Sequence, residues 1–88
     1  MKSRQRRVHQ LKCRQEYFRQ IVNKKKKFEV RKNDRDFKVG QVLELYEVDD
    51  RTRPTGLKTS VLITYMMSDD MHPGINIGYC VLGIELLN

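Results

Sequence analysis

Within "KKKKFEVRKNDRDF", residues 24–37, Lys26, Glu29 and Arg31 place an ammonium, a carboxylate and a guanidinium close together in the chain. Arginine presents a rigid fork of donors suited to phosphate or a base edge, lysine a mobile point charge, and glutamate an acceptor that orients either or reads an amino group. If the segment after Lys27 is extended, Glu29 and Arg31 share one face, while Phe28 and Val30 share the other. Phe28 and Val30 are expected to face the core, which leaves the charged pair on the opposite face. The plainer alternative is an ion pair on a solvated strand face. Asn33, Asp34 and Asp36 are expected to shape the following turn, since short polar side chains bond local backbone and tolerate unusual angles. Arg35 is left as a ligand group.

The elements that must position these residues follow from hydrophobic period. "VHQLKC", residues 8–13, alternates His9, Leu11 and Cys13 against Val8, Gln10 and Lys12, as a strand would. From Arg14 to about Lys25, Tyr17, Phe18, Ile21 and Val22 form one stripe on a 3.6-residue period, predicting an amphipathic helix of about three turns. No Ser, Thr, Asp or Asn precedes its start, and Asn23 is the expected left-handed stop. "KFEVRK" then gives a strand, Val39-Gly40 a turn, and "QVLELYEV" another strand. A turn-rich 49–56 leads into "LKTSVLITYMM", with Val61, Ile63 and Tyr65 on alternate positions, and the two strands read as a hairpin. Residues 68–78 form a long loop with a short extended piece at Ile75–Ile77, before a last strand over 79–87. One helix cannot cover both faces of such a sheet, so the expected fold is mainly β (α+β). It is a small barrel of about five to six strands, with one helix after the first strand plugging its mouth.

Eighty-eight residues make a single domain, expected over 8–88 behind a mobile basic arm at 1–7. No apolar run approaches the ~20 residues of a membrane span, and no apolar stretch follows the basic start as in a signal peptide. A soluble, cytoplasmic protein without membrane attachment is expected. Cys13 and Cys80 are far apart and lack metal spacing with His9 or His72, so free thiols are expected, with no metal and no cofactor. The charge is polarised. Residues 1–40 hold 15 Lys or Arg and 4 Asp or Glu, and residues 41–88 hold 3 and 7, within a net +7. That polarity is the footprint of a polyanion partner, most simply RNA or a nucleotide.

Four stretches carry a resemblance: "HQLKC" at 9–13, "EYF" at 16–18, "KKKKFEVRKNDRDFKVGQVLELYEVD" at 24–49 and "GYCVLGIELL" at 78–87. Together they resemble a small bacterial and phage family of ASCH type, within the PUA-like superfamily. The ASCH pattern G-x-K-x-x-E-x-R sets its Lys, Glu and Arg on Lys26, Glu29 and Arg31, and its Gly on Lys24. The resemblance implies a β-barrel with a helix at one opening and a cleft beside it for RNA or a nucleoside.

Three functions follow as expectations. In the first, an RNA- or nucleotide-binding module uses Lys26, Arg31 and Arg35 on phosphate or base edges, with Glu29 holding them in register. Lys12 lies near the same opening, and Tyr65 or Tyr79 stacks a base or, on the plainer reading, packs in the core. In the second, an RNA- or nucleoside-modifying hydrolase is implied by similar ASCH proteins. Some cleave the amide of acetylated cytidine with a Lys and a Thr of this pattern and a Glu from a later strand. Glu29 stands where that Thr would be, which removes the hydroxyl nucleophile. For a ribonuclease, Lys26, Glu29 and His72 are the candidate acid and base groups. In the third, the acidic second half (Asp49, Asp50, Asp69, Asp70) meets a basic protein. A single helix excludes helix-turn-helix DNA recognition.

Overall fold

The structure, a computed structural model, describes residues 6–87; Met1–Gln5 of the expected basic arm lie outside the described residues. Five strands and one helix follow in the order β1 (Val8–Arg14), α1 (Gln15–Val22), β2 (Phe28–Lys32), β3 (Val42–Val48), β4 (Pro54–Ser68) and β5 (Tyr79–Leu86). They form one sheet of spatial order β1-β3-β4-β5-β2. β1 runs parallel to β3, and every other pairing is antiparallel. The first two strands in sequence are therefore the two sheet edges, and the sheet curls into a half-barrel that brings those edges towards each other. α1 carries the chain from one edge to the other. No helix among the described residues is long and apolar enough to cross a membrane.

The concave side holds the core. Leu11 and Cys13 of β1, Leu43 and Leu45 of β3, Val61 and Ile63 of β4, and Cys80, Leu82 and Ile84 of β5 point inward. Phe18 and Ile21 of α1 close over them, joined by Phe37 from the β2–β3 connection. Each fully buried aliphatic side chain contributes about 1.5–3 kcal/mol through removal of apolar surface from water. His9 is buried too, its ring edge-on to Phe37 at 4.9 Å and its Nε2 bonded to Gln41 Oε1 at 2.7 Å. Cys13 and Cys80 are buried and unbonded.

Three details depart from the periodicity. The helix ends at Val22, short of Lys25, because the chain closes in a Schellman motif: Lys24 N–H donates to Ile21 O and Lys25 N–H to Gln20 O. The left-handed residue is Lys24 (φ 64), not Asn23 (φ −84). The stripe on α1 is correspondingly narrow, with Phe18 and Ile21 buried and Tyr17 and Val22 exposed. Ile75–Ile77 forms no strand; residues 69–78 are held instead by turns and by Gly78 N–H donating to Asp69 Oδ2 at 2.6 Å.

The third departure is in β4. Opposite β5 the register shifts between Ile63 and Tyr65, so Thr64 is an extra residue in a β-bulge. Ile63 faces inward against Ile84, but beyond the bulge it is Met66 that pairs with Leu82 and packs on the core. Tyr65, expected in line with Val61 and Ile63, is turned to the outer face and is 57% exposed.

Candidate functional site: a buried ionic triad at the barrel seam

β2 lies with its charged face inward, the reverse of the expected orientation. Glu29 pairs with the fully buried Leu82 and Arg31 with the fully buried Cys80, while Phe28 and Val30 are 48% and 54% exposed on the outer face. The carboxylate of Glu29 is thus inside the half-barrel, with only 5% of its side chain accessible. An isolated charge there would cost several kcal/mol, so it must be paired. Lys26 Nζ donates to Glu29 Oε1 at 2.5 Å, and Arg31 donates to Glu29 Oε2 from Nε at 2.9 Å and from Nη2 at 2.8 Å. Both carboxylate oxygens are engaged, and the three sequence-predicted groups meet at one point.

The cations are held from their other sides as well. Lys26 Nζ sits 4.9 Å from the Tyr17 ring centroid and 5.0 Å from that of Phe28, a cation–π contact on each side. Arg31 Nη2 also donates to the backbone oxygen of Lys12 at 2.6 Å, and Arg35 Nη1 donates to that of Gln10 at 3.2 Å. Gln10 and Lys12 have the same parity on β1, so both carbonyls point away from β3, towards the open edge. The guanidinium groups bridge the seam between β1 and the β2 side, where no main-chain ladder forms among the described residues.

Above this cluster lies a hollow of about 450 Å³, lined by Lys12, Arg14, Tyr17, Lys26, Phe28 and Arg31 around Glu29, with Cys13 and Val30 beside them. Four cations thus surround one carboxylate. Arg14 is partly countered by Glu16 at 3.4 Å, on an exposed and weakly contributing pair. Burial, followed by the nearby Glu29 charge, pushes the Cys13 thiol up to about 11, so at neutral pH it is a protonated, inert part of the floor. A larger hollow of about 630 Å³ lies on the other side of Lys26, where Lys24, Lys26 and Lys27 border apolar Ile21, Val61 and Ile84. Most of the lysine run therefore borders space beside α1.

The remaining sequence-predicted residues divide. Lys12 lines the hollow and accepts Arg31, as expected of a residue at this opening. Arg35 is on the seam outside the hollow's lining, its Nη1 bonded to the Gln10 carbonyl. Tyr65 and Tyr79 are not brought to the triad. Tyr79 begins β5 half-buried opposite Lys32, and Tyr65 borders a separate outer hollow. His72 lies at that outer hollow too, its Nδ1 accepting from Gly74 N–H at 2.8 Å, away from Lys26 and Glu29. The sequence reading missed Tyr17 and Phe28 as walls of the site. Their signal was the lysine between them in sequence, since a cation is attracted to an aromatic face wherever the fold brings them together. Asp49 caps its own turn, accepting from the backbone of Arg51 and Arg53, and the Arg53 backbone bond leads in holding its carboxyl below the usual range. Glu47, buried without having been singled out, accepts from Thr55 Oγ1 at 2.6 Å.

Fold and site together define a small, mainly β half-barrel whose seam carries a buried Lys-Glu-Arg cluster under a cation-lined mouth. The chain belongs to the family described as a domain of unknown function (DUF3850), which it matches over residues 8–84. No curated protein matches it.

Proposed function

We propose that this domain is an RNA- or nucleotide-binding module of ASCH type within the PUA-like superfamily, with its ligand seated in the hollow above Lys26, Glu29 and Arg31. One observation carries the reading: the three ionic groups converge on a single concavity that two further cations, Lys12 and Arg14, also line. Glu29 neutralises one positive charge and fixes the geometry of two. The surplus is available to an anion, and Arg31 Nη1 is left without a protein acceptor among the described residues. Tyr17 and Phe28 offer ring faces at the mouth, and Lys24 and Lys27 add nonspecific attraction beside it. Buried, unbonded thiols fit a reducing, cytoplasmic setting.

The geometry favours binding over hydrolysis. A general base needs a free lone pair within reach of a proton, and both oxygens of Glu29 are committed to cations. The reading is tested by measuring single-stranded RNA affinity against salt. Log affinity is expected to fall with log salt at roughly −0.7 per neutralised phosphate, and Lys12→Ala is expected to reduce that slope by about one such step. Binding that ignores salt, or none at low salt, refutes it.

A further inference from the structure

The outer face of the sheet carries an apolar patch that the core does not explain. Across β2, β5 and β4 the register sets Phe28, Gly83 and Tyr65 in one row, with Val30, Val81 and Met67 in the next. Phe28 and Tyr65 are both about half exposed or more, and the residue between them has no side chain. A Cβ at Gly83 would lie 3.3 Å from Tyr65 Cβ and 3.1 Å from Thr64 Oγ1, so any other residue would crowd the gap between the two rings. The bulge at Thr64 is what turns Tyr65 into this row. The result is a glycine-floored hollow of about 410 Å³ with aromatic walls and His72 at its rim.

This hollow adjoins the cationic one at a shared wall. Phe28 lines both, and the Lys26 ammonium lies against its ring. Lys26 in turn borders the larger lysine-lined hollow, so three depressions follow one another, joined at Lys26 and Phe28. A cation-lined hollow next to an apolar slot with aromatic walls matches the alternation of charge and ring in a single-stranded nucleic acid. Unpaired bases present the planar faces that such walls hold.

We propose that the slot across Phe28, Gly83 and Tyr65 binds an unpaired base of the same RNA strand whose phosphate occupies the hollow above Arg31. This inference rests on the RNA-binding reading. It adds a second subsite on the opposite face of β2 and makes the preferred ligand a single strand rather than a mononucleotide or a duplex, whose bases are stacked away.

The test compares a single-stranded RNA hexamer with an abasic hexamer of the same ribose-phosphate backbone, on the wild type, Tyr65→Ala and Tyr65→Phe. The wild type is expected to prefer the intact hexamer by roughly tenfold or more. Tyr65→Ala is expected to lose most of that preference while binding the abasic chain as the wild type does, and Tyr65→Phe to retain it. Tyr65 is exposed, so its truncation leaves the core intact. If Tyr65→Ala keeps the preference, or the abasic chain binds the wild type equally well, the slot is overturned and the cationic hollow stands alone. If neither hexamer binds the wild type, the RNA-binding reading itself fails. If Tyr65→Ala instead abolishes self-association in sedimentation while RNA preference is unchanged, the patch is a protein contact and the inference is wrong.

Discussion

The guanidinium of Arg31 donates to the backbone oxygen of Lys12 at 2.6 Å while its Nε and Nη2 hold the carboxylate of Glu29. One side chain on β2 thereby closes the half-barrel against β1 and neutralises the charge buried inside it. The site and the closure of the fold are the same set of bonds. Stability and ligand binding should respond together to some substitutions here and oppositely to others.

Arg31→Lys retains the charge but not the fork. A lysine ammonium cannot bond Glu29 and the Lys12 carbonyl in the same planar arrangement, and Lys26 is left as the principal partner of a buried carboxylate. The expected loss is on the order of 2–3 kcal/mol, below the full cost of breaking a buried pair because one cation remains. Urea unfolding of the variant and the wild type at matched ionic strength measures it. A change within about 0.5 kcal/mol, the range of ordinary surface substitutions, would mean that the seam bond contributes nothing.

Glu29→Gln separates structure from binding. The amide keeps the shape but leaves two cations without their counter-charge, and stability is expected to fall by about 2–4 kcal/mol. RNA affinity at low salt is expected to rise severalfold, since one more positive charge faces the hollow. A variant that binds RNA more weakly than the wild type would show that the carboxylate itself contacts the ligand.

Lys24→Gly should stabilise the fold. Lys24 holds φ 64 at the end of α1, and a left-handed residue with a Cβ carries a cost of roughly 1–2 kcal/mol that glycine avoids. Offset by the greater backbone entropy of glycine when unfolded, the net gain is expected near 1 kcal/mol, or about 4–8 °C in Tm. Differential scanning calorimetry reads it directly. An unchanged or lowered Tm would show that the Lys24 side chain contributes an interaction worth as much as the backbone strain.

The Cys13 thiol gives a pH dependence of defined sign. Its folded pKa, pushed up to about 11 by burial and then by Glu29, exceeds its ordinary value of 9.0. Between pH 9 and 11 the folded state retains a proton that the unfolded chain has lost. The associated stability is therefore complete below pH 9 and declines as pH rises towards 11, by roughly 3 kcal/mol in all. Burial moves the Cys80 thiol in the same direction. Unfolding free energies measured from pH 8 to 11 should fall less steeply in Cys13→Val than in the wild type. Parallel curves would show that Cys13 ionises as readily folded as unfolded.

The order of strands and helix was legible because the elements carry their own signals: a period of two in β1, 3.6 in α1, and a run of strand-forming residues in β3. Which face of β2 turns inward was not. Alternation separates Phe28 and Val30 from Glu29 and Arg31 but does not say which pair the sheet encloses, and apolar character argues for the wrong one. The inward choice is stable only because Lys26 and the Lys12 carbonyl, residues from two other segments, complete the pairing. Tyr65 was misplaced for a similar reason: the bulge that turns it outward lies opposite Gly83, on a different strand. Spacing placed Glu29 and Arg31 on one side of a strand, but their meeting with Lys26, which precedes β2, depends on the turn at Lys24 and was expected only through the resemblance. Tyr17 and Phe28, as walls, depend on the path of the chain through the turn at Lys24.

Backbone and side-chain NMR shifts recorded while a single-stranded RNA hexamer is added at low salt test the central claim most directly. The largest perturbations are expected at the Lys26 ammonium, the Arg31 guanidinium and the amides of Lys12, Tyr17 and Glu29, fading as salt is raised. Shifts spread thinly over the exposed lysines, or centred away from the β1–β2 seam with the triad unmoved, would contradict it.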